Sequence, residues 1–142
     1  MSTANRLLSG IQSALSDSVD VRTHLGQPPR VFDRRPPVDA VFPFLTFGDV
    51  RVEDRSGDGV RVEECTVNLH LYSRYQGRAE AMSILSGVLE ALSRDRLRSF
   101  LPDCGRVVSR FTDSFAARDG HSRHSVLRIT VTLASDMMET AA

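Results

Sequence analysis

Alternating apolar and polar positions along the chain predict four β-strands arranged as two hairpins. A polar hexapeptide, Asp54 to Gly59, separates the strands of the first pair and is typical of a hairpin tip. Asp119-Gly120 separates the second pair, and both residue types tolerate the positive φ of a tight turn. The predicted strands cover residues 44–53, 60–73, 107–118 and 122–134.

The second and fourth strands alternate most regularly, so each has one face that belongs to the core. Their predicted inward positions are Cys65, Val67, Leu69, Leu71, Leu127, Ile129, Val131 and Leu133. Val60 and Val62 have the opposite parity to this set. That change of parity predicts a β-bulge near Glu63 and Glu64.

Two segments, residues 3–16 and 78–93, have apolar positions at helical spacing and predict amphipathic helices. Residues 19–43 contain paired prolines, which remove backbone donors and fix φ. We expect a long extended arm there, with a short extended piece at Val31-Phe32. The last residues, 135–142, are expected to form a loose tail.

The order of these elements, α-β-β-α-β-β, predicts the α+β fold class. We expect a single domain over residues 1–142, with an antiparallel sheet of about four strands and both main helices on one face. A chain of 142 residues that is 41% hydrophobic is long enough for one such core.

The charge balance argues against two classes of partner. Eighteen basic residues offset eighteen acidic ones, so no net field attracts nucleic acid or an anionic membrane. We therefore expect no sequence-specific nucleic-acid partner and no membrane partner. The first residues contain no apolar segment typical of a signal peptide, and we expect none.

The cysteines and clustered histidines do not predict a metal or redox site. The spacing of Cys65 and Cys104 fits no zinc or redox motif, and we expect two reduced thiols. His121 and His124 are three positions apart in a predicted strand, so they point to opposite faces and are interpreted as solvated hairpin residues. No metal-binding, cofactor-binding or catalytic residue is predicted.

The stretch NLHLYSRYQGRAEAM, residues 68–82, concentrates reactive side chains where a strand gives way to a helix. A serine nucleophile needs a base within hydrogen-bond reach. His70 and Ser73 are three residues apart on one strand, so their side chains leave opposite faces. This parity argues against a catalytic dyad.

Arg74 and Arg78 flank the start of the second helix, where unpaired backbone N–H groups attract anions. No glycine-rich phosphate loop accompanies them. The competing interpretation is helix capping, with Gly77 at the N-cap and Glu80 three residues on, or with Ser73 and Gln76 as a capping box. We favour capping over anion binding.

The order of three further segments resembles a known family. They are RVFDRRPPVDAVFPFLTFG (30–48), LHLYSRYQGRAEAMSILSGVLEAL (69–92) and RDGHSRHSVLRITVTL (118–133). Together they are similar to the small tail-terminator, or tail-completion, proteins of long-tailed phages, in the branch found in prophages and gene transfer agents. Tyr72 stands where tryptophan is common in that family, and either ring can fill the position.

The resemblance implies a structural virion protein without enzymatic activity. Members form a six-membered ring on the head-proximal end of the tail tube, stop its polymerisation and present a surface to the neck. The implied partners are further copies of the chain, the tail tube protein and a neck or head-closure protein. The implied location is the neck and tail junction of a phage-like particle, assembled in the bacterial cytoplasm.

Exposure and length of the hairpins single out six candidate contact residues. We expect the hairpin ends to face a partner, together with part of the arm between residues 26 and 42 and the arginines at the strand-to-helix junction. The candidates are Arg55, Asp58, Arg74, Arg78, Asp119 and His121.

Three alternatives remain open from the sequence. One is a head-closure or stopper protein of the same particle, which is also small and ring-forming. Another is a small-ligand enzyme that uses Arg74, Arg78 and His70, although strand parity disfavours a shared pocket. The third is a nucleic-acid-binding module, disfavoured by neutral charge and by the lack of interleaved aromatic and basic residues on one strand face.

Overall fold

The structure is a computed structural model that describes residues 2–33, 35–74 and 77–136. Within these ranges, helices and strands alternate in small groups along the chain. The elements are α1 (Thr3–Asp17), α2 (Val19–Leu25), β1 (Val31–Phe32), β2 (Phe44–Asp54), β3 (Val60–Ser73), α3 (Arg78–Ala91), α4 (Arg94–Leu97), β4 (Cys104–Ala116) and β5 (Arg123–Asp136).

The strands form one sheet in the spatial order β1-β2-β3-β5-β4. All pairings are antiparallel except that of β1 with β2, which is parallel. The predicted α+β class is therefore confirmed, with five described strands instead of about four. The additional strand arises because Val31 and Phe32 pair with Leu45 and Thr46.

One face of the sheet contributes its inward residues to a core shared with the helices. Leu69, Leu71, Leu127 and Ile129 are fully buried, as predicted from the alternation of β3 and β5. They belong to one hydrophobic cluster with the apolar faces of α1, α2 and α3. Because the strand residues of this cluster share one parity, the helices pack on a single face.

The prediction of an extended arm from 19 to 43 is wrong for residues 19–25, because they form helix α2. The Ser18 hydroxyl accepts a hydrogen bond from the Val21 N–H at 3.2 Å and caps this helix. Val21 and Leu25 are buried against the core. The first proline is at position 28, beyond the end of α2, so nothing in residues 19–25 prevents helix formation.

The rest of the arm is held against the sheet by Arg30. Its guanidinium Nε donates to the Pro43 carbonyl at 3.0 Å, and its own carbonyl accepts from the Leu45 N–H at 2.9 Å. Val38 and Val41 nevertheless project from this arm and are exposed. The arm is thus fixed at Arg30 and Pro43, while Val38 and Val41 between them remain exposed.

The predicted β-bulge near Glu63 and Glu64 is wrong, because β3 pairs with β5 without a register shift from Val60 to Ser73. The irregularity lies in β2, between Phe47 and Val50. A side chain at Gly48 would place its Cβ 2.7 Å from Nε2 of His70. The imidazole therefore occupies the space above a glycine, which explains why the irregular position lacks a side chain.

Both cysteines are free and buried, and they contribute to the hydrophobic core. Burial raises the pKa of the Cys65 thiol to about 11 and also raises the pKa of Cys104. Both thiols are therefore protonated near neutral pH and poorly nucleophilic.

Strand β5 continues through Ser135 and Asp136, so the loose tail expected from 135 begins two residues later at the earliest. The remainder of that predicted tail, 137–142, lies outside the described residues. Among the described helices, none is long and apolar enough to cross a membrane.

Helix α1 packs closely on Leu101, and this contact can be tested at Gly10. A Cβ at position 10 would lie 2.6 Å from Cγ of Leu101, a buried side chain. We expect Gly10→Ala to lower the free energy of unfolding by about 1–2 kcal/mol through overpacking, although alanine favours helices. Urea denaturation measures this change.

Ser9→Ala on the exposed side of the same helix is the matched control and should be neutral or slightly stabilising. Stabilisation of both variants to the same extent would show that α1 does not approach Leu101 this closely.

Candidate interaction surfaces

The face of the sheet opposite the helices, here called the open face, carries the second set of alternating residues. His70 and Tyr72 of β3 lie on it, opposite in parity to the buried Leu69 and Leu71. Ser73 is fully buried on the helix side. The predicted separation of His70 from Ser73 is therefore confirmed, and the two side chains cannot form a catalytic pair.

A row of five rings, here called the aromatic row, crosses the sheet with one ring from each strand. Successive ring centroids are 5.8, 5.2, 4.4 and 4.8 Å apart. The distances fall in the range in which aromatic rings attract each other. In strand order the rings belong to Phe32, Phe44, Tyr72, His124 and Phe115.

His70 and His124 form a hydrogen-bonded pair beside this row. Nδ1 of His70 lies 2.8 Å from Nε2 of His124, so one ring donates and the other accepts. Burial lowers the pKa of both imidazoles, and the charge of His70 lowers the pKa of His124 further. The hydrogen bond tolerates one extra proton on the pair, but a second proton removes the acceptor and adds like-charge repulsion.

The interpretation of His124 as a solvated hairpin residue is wrong. Its ring is half-buried and stacked on Tyr72 at an interplanar angle of 25°. The sequence distance between positions 72 and 124 conceals this contact, which depends on the pairing of β3 with β5.

The half of the open face away from the aromatic row is polar. A shallow depression of about 510 Å³ there is lined by Asp49, Arg51, Arg110 and Arg128, among other residues. Nε of Arg128 donates to Oδ1 of Asn68 at 3.1 Å, so part of this surface is internally paired. His70, Arg74 and Arg78 do not line this depression, so it gives no support to an enzyme built on those three residues.

The tip of the first hairpin, β2–β3, is a two-residue turn at Asp58 and Gly59. Both have positive φ, 52° and 77°, and the flanking Gly57 and Val60 exchange two backbone hydrogen bonds. Arg55 beside the tip is exposed and lies 2.8 Å from a carboxylate oxygen of Glu53. Arg55 and Asp58 thus project from the end of the sheet, as a partner contact requires.

Asp119 organises the tip of the second hairpin, β4–β5. Its carboxylate accepts hydrogen bonds from the backbone N–H groups of His121 and Ser122 and from the Ser122 hydroxyl, at 2.8–2.9 Å. These bonds lower the pKa of Asp119. Since its carboxylate oxygens already accept bonds within the turn, Asp119 shapes this tip, while His121 is exposed beside it.

Arg74 and Arg78 lie on either side of the start of α3. The Arg74 guanidinium carbon is 4.6 Å from the centroid of the Phe42 ring, a cation–π contact. Gly77 is the N-cap of α3, as predicted, and makes no side-chain capping bond. The alternative capping box needs Gln76, which lies outside the described residues.

In the part of the chain that the structure describes, no group of three or more His, Cys, Asp or Glu side chains is arranged to hold a metal ion. The surface chemistry is therefore that of exposed hairpin ends, arginines and a half-buried aromatic row.

The histidine pair predicts a pH-dependent stability. The pKa of each imidazole is near 6.5 in the unfolded chain and lower in the folded chain. Below about pH 6.5 the unfolded state therefore binds more protons than the folded state. The free energy of unfolding should therefore decrease as the pH falls from about 7.5 towards about 5. Urea denaturation across this range measures the effect.

His124→Phe keeps a ring on Tyr72 but removes one titrating group, so it should flatten this pH dependence. His121→Asn, at the exposed hairpin tip, is the control and should leave the wild-type slope intact. Equal slopes in all three proteins would contradict the coupling of the pair to folding.

Comparison with known proteins gives a match to one protein family and to the fold of a solved structure. Residues 9–134 match the family described as tail completion protein gp17. In solved structures 29 chains match, among them a chain of the structure titled "Virion of native gene transfer agent (GTA) particle". It superposes with a TM-score of 0.71 at 18% identity, covering 94% of this chain and 98% of that one.

No match was found among curated proteins. The structural similarity at 18% identity shows a shared fold. The family match spans both hairpins and the helices between them, and thus most of the chain. The chain accordingly belongs to the tail completion protein gp17 family and is a structural, tail-related protein.

Proposed function

We propose that this protein is a ring-forming tail terminator. In this role it caps the head-proximal end of the tail tube, stops its polymerisation and joins the tail to the neck of a phage-like particle. The observation that carries the proposal is the match of the tail completion family across residues 9–134. The fold shared with a chain of a gene transfer agent virion supports it.

The distribution of exposed side chains suits a protein that contacts neighbours on several sides. Hairpin tips project from both ends of the sheet, because β3 and β5 run antiparallel from Val60 opposite Asp136 to Ser73 opposite Arg123. The open face has no helix packed on it among the described residues. A ring subunit needs separate surfaces for its two neighbours, for the tube and for the neck.

We infer that the six candidate contact residues divide between these ends. Arg55 and Asp58 belong to the tip of the β2–β3 hairpin. The other four, Arg74, Arg78, Asp119 and His121, belong to the opposite end. We also infer a non-enzymatic role, because His70 and Ser73 lie on opposite faces and His70 is engaged with His124.

The alternative is a head-closure or stopper protein of the same particle. It would bind the portal side and retain DNA in the head, whereas a terminator binds the ends of tail tubes. The family match favours the terminator, since its description refers to the completion of the tail.

Electron microscopy of the purified protein and of particles from a deletion strain tests the proposal. The purified chain should form rings and bind one end of isolated tail tubes. The deletion strain should produce tubes of uncontrolled length that are not attached to heads, because nothing stops polymerisation or provides the docking surface.

Deletion particles with normal tails, together with a purified protein that neither forms rings nor binds tubes, would refute the terminator. Tails of normal length beside heads that have lost their DNA would instead favour the stopper. Complementation with the wild-type chain is the control for effects on neighbouring genes.

A further inference from the structure

The two ends of the sheet carry opposite net charges. The segment 53–64, here called the acidic end, contains five carboxylates and two arginines, a net charge of −3. The opposite end, here called the basic end, consists of Arg74, Arg78, Arg118 and Arg123 with Glu80 and Asp119, a net charge of +2. The two named sets of residues at the ends of the sheet are therefore oppositely charged in a protein with no net charge as a whole.

Internal ion pairs do not neutralise three of the arginines at the basic end. Among the described residues, no ion pair involves Arg74, Arg78 or Arg118. Asp119, the nearest carboxylate in sequence to Arg118, accepts three hydrogen bonds within its own turn. These guanidiniums thus remain available to an external carboxylate, with which arginine can form forked hydrogen bonds.

Each end also exposes apolar side chains among its charges. Phe115 is 42% exposed at the basic end, and Arg74 lies over the ring of Phe42 there. Val52 and Val60, at 39% and 41% exposure, lie in or next to the acidic end. An apolar centre surrounded by charged groups is the usual composition of a protein interface.

The two ends of one molecule cannot meet. Strand β3 is 14 residues long and separates them by about 45 Å at the ordinary rise of a strand. Complementary patches on opposite ends of a subunit form heterologous contacts, and such contacts close into a ring when the rotation between subunits permits.

We propose that the acidic end of one copy docks on the basic end of the next, with the valines of the first against the exposed Phe115 of the second. The proposal rests on the proposed ring and specifies which surfaces form it. A second copy of this chain is the occupant because the same sequence supplies both complementary charges and both apolar patches.

Charge reversal at each end tests the contact. The acid-reversed variant is Glu53→Arg with Glu64→Arg, and the base-reversed variant is Arg74→Glu with Arg118→Glu. The affected side chains are partly or fully exposed, so both variants should fold as judged by circular dichroism. Each variant alone juxtaposes like charges, and its dissociation constant for self-association should rise at least about tenfold.

An equimolar mixture of the two variants should assemble, because each reversed end then meets an oppositely charged neighbour. Native mass spectrometry should show oligomers with equal numbers of the two chains. Wild-type assembly should weaken between about 0.05 M and about 0.5 M NaCl as the charges are screened. Arg110→Glu with Arg128→Glu, at exposed positions in the middle of the strands, is the matched control and should assemble like the wild type.

Reversed variants that form homomeric rings as readily as the wild type would overturn this contact while leaving the terminator role intact. If those rings also failed to bind tube ends, the reversed end would face the tube protein instead of a second copy. If the wild-type chain stayed monomeric at every salt concentration and also formed no ring at the ends of tail tubes, the contact and the proposed function would both be overturned.

Discussion

The strict alternation of strand β3 is the constraint on which the rest of the structure depends. This strand lies at the centre of the sheet, and its inward residues from Cys65 to Leu71 are fully buried. A slip of one residue would turn every buried side chain of β3 towards the open face. The helices, the register of both neighbouring strands and the identity of the open face all follow from this parity.

The same parity explains how a sheet without helices on its second face still orders that face. Tyr72, in β3, stacks between Phe44 and His124 and connects the rings on the two sides of the sheet. Ring contacts of this kind add to pairing energy because the side chains of neighbouring strands lie opposite one another. The open face is therefore an ordered surface, with rings at one end and paired polar groups at the other.

Local patterns were sufficient to predict the helices at either side of the first hairpin, the inward residues of β3 and β5, and the opposition of His70 and Ser73. Helix α2 is not predicted from the sequence because the prolines that follow it make the whole segment resemble an extended arm. Its stability depends on the Ser18 cap and on the burial of Val21 and Leu25, and that burial is visible only in the folded chain. The predicted position of the bulge is wrong because the alternation of β3 alone does not show which of two paired strands holds the extra residue. Its true position follows from the approach of His70 to Gly48, residues that are distant in sequence.

Of the candidate surfaces, too, only the parts that depend on local sequence can be predicted. Exposed turns at Asp58 and Asp119 follow from turn chemistry, which is local. The aromatic row and the histidine pair do not, since their members come from strands that become neighbours only when the sheet forms. Single-sequence reasoning has no access to strand order, and this limits what it can say about any surface that spans a sheet.

The burial of the two cysteines has a consequence for the proposed role in a phage-like particle. A virion is assembled inside a cell, under conditions that keep thiols reduced, and then meets an oxidising exterior. Cys65 and Cys104 are free and buried, and their raised pKa values keep them in the unreactive thiol form. The fold therefore relies on no covalent cross-link between these residues in the first environment and presents neither thiol to the second, so neither cysteine ties the stability of the fold to the passage between them.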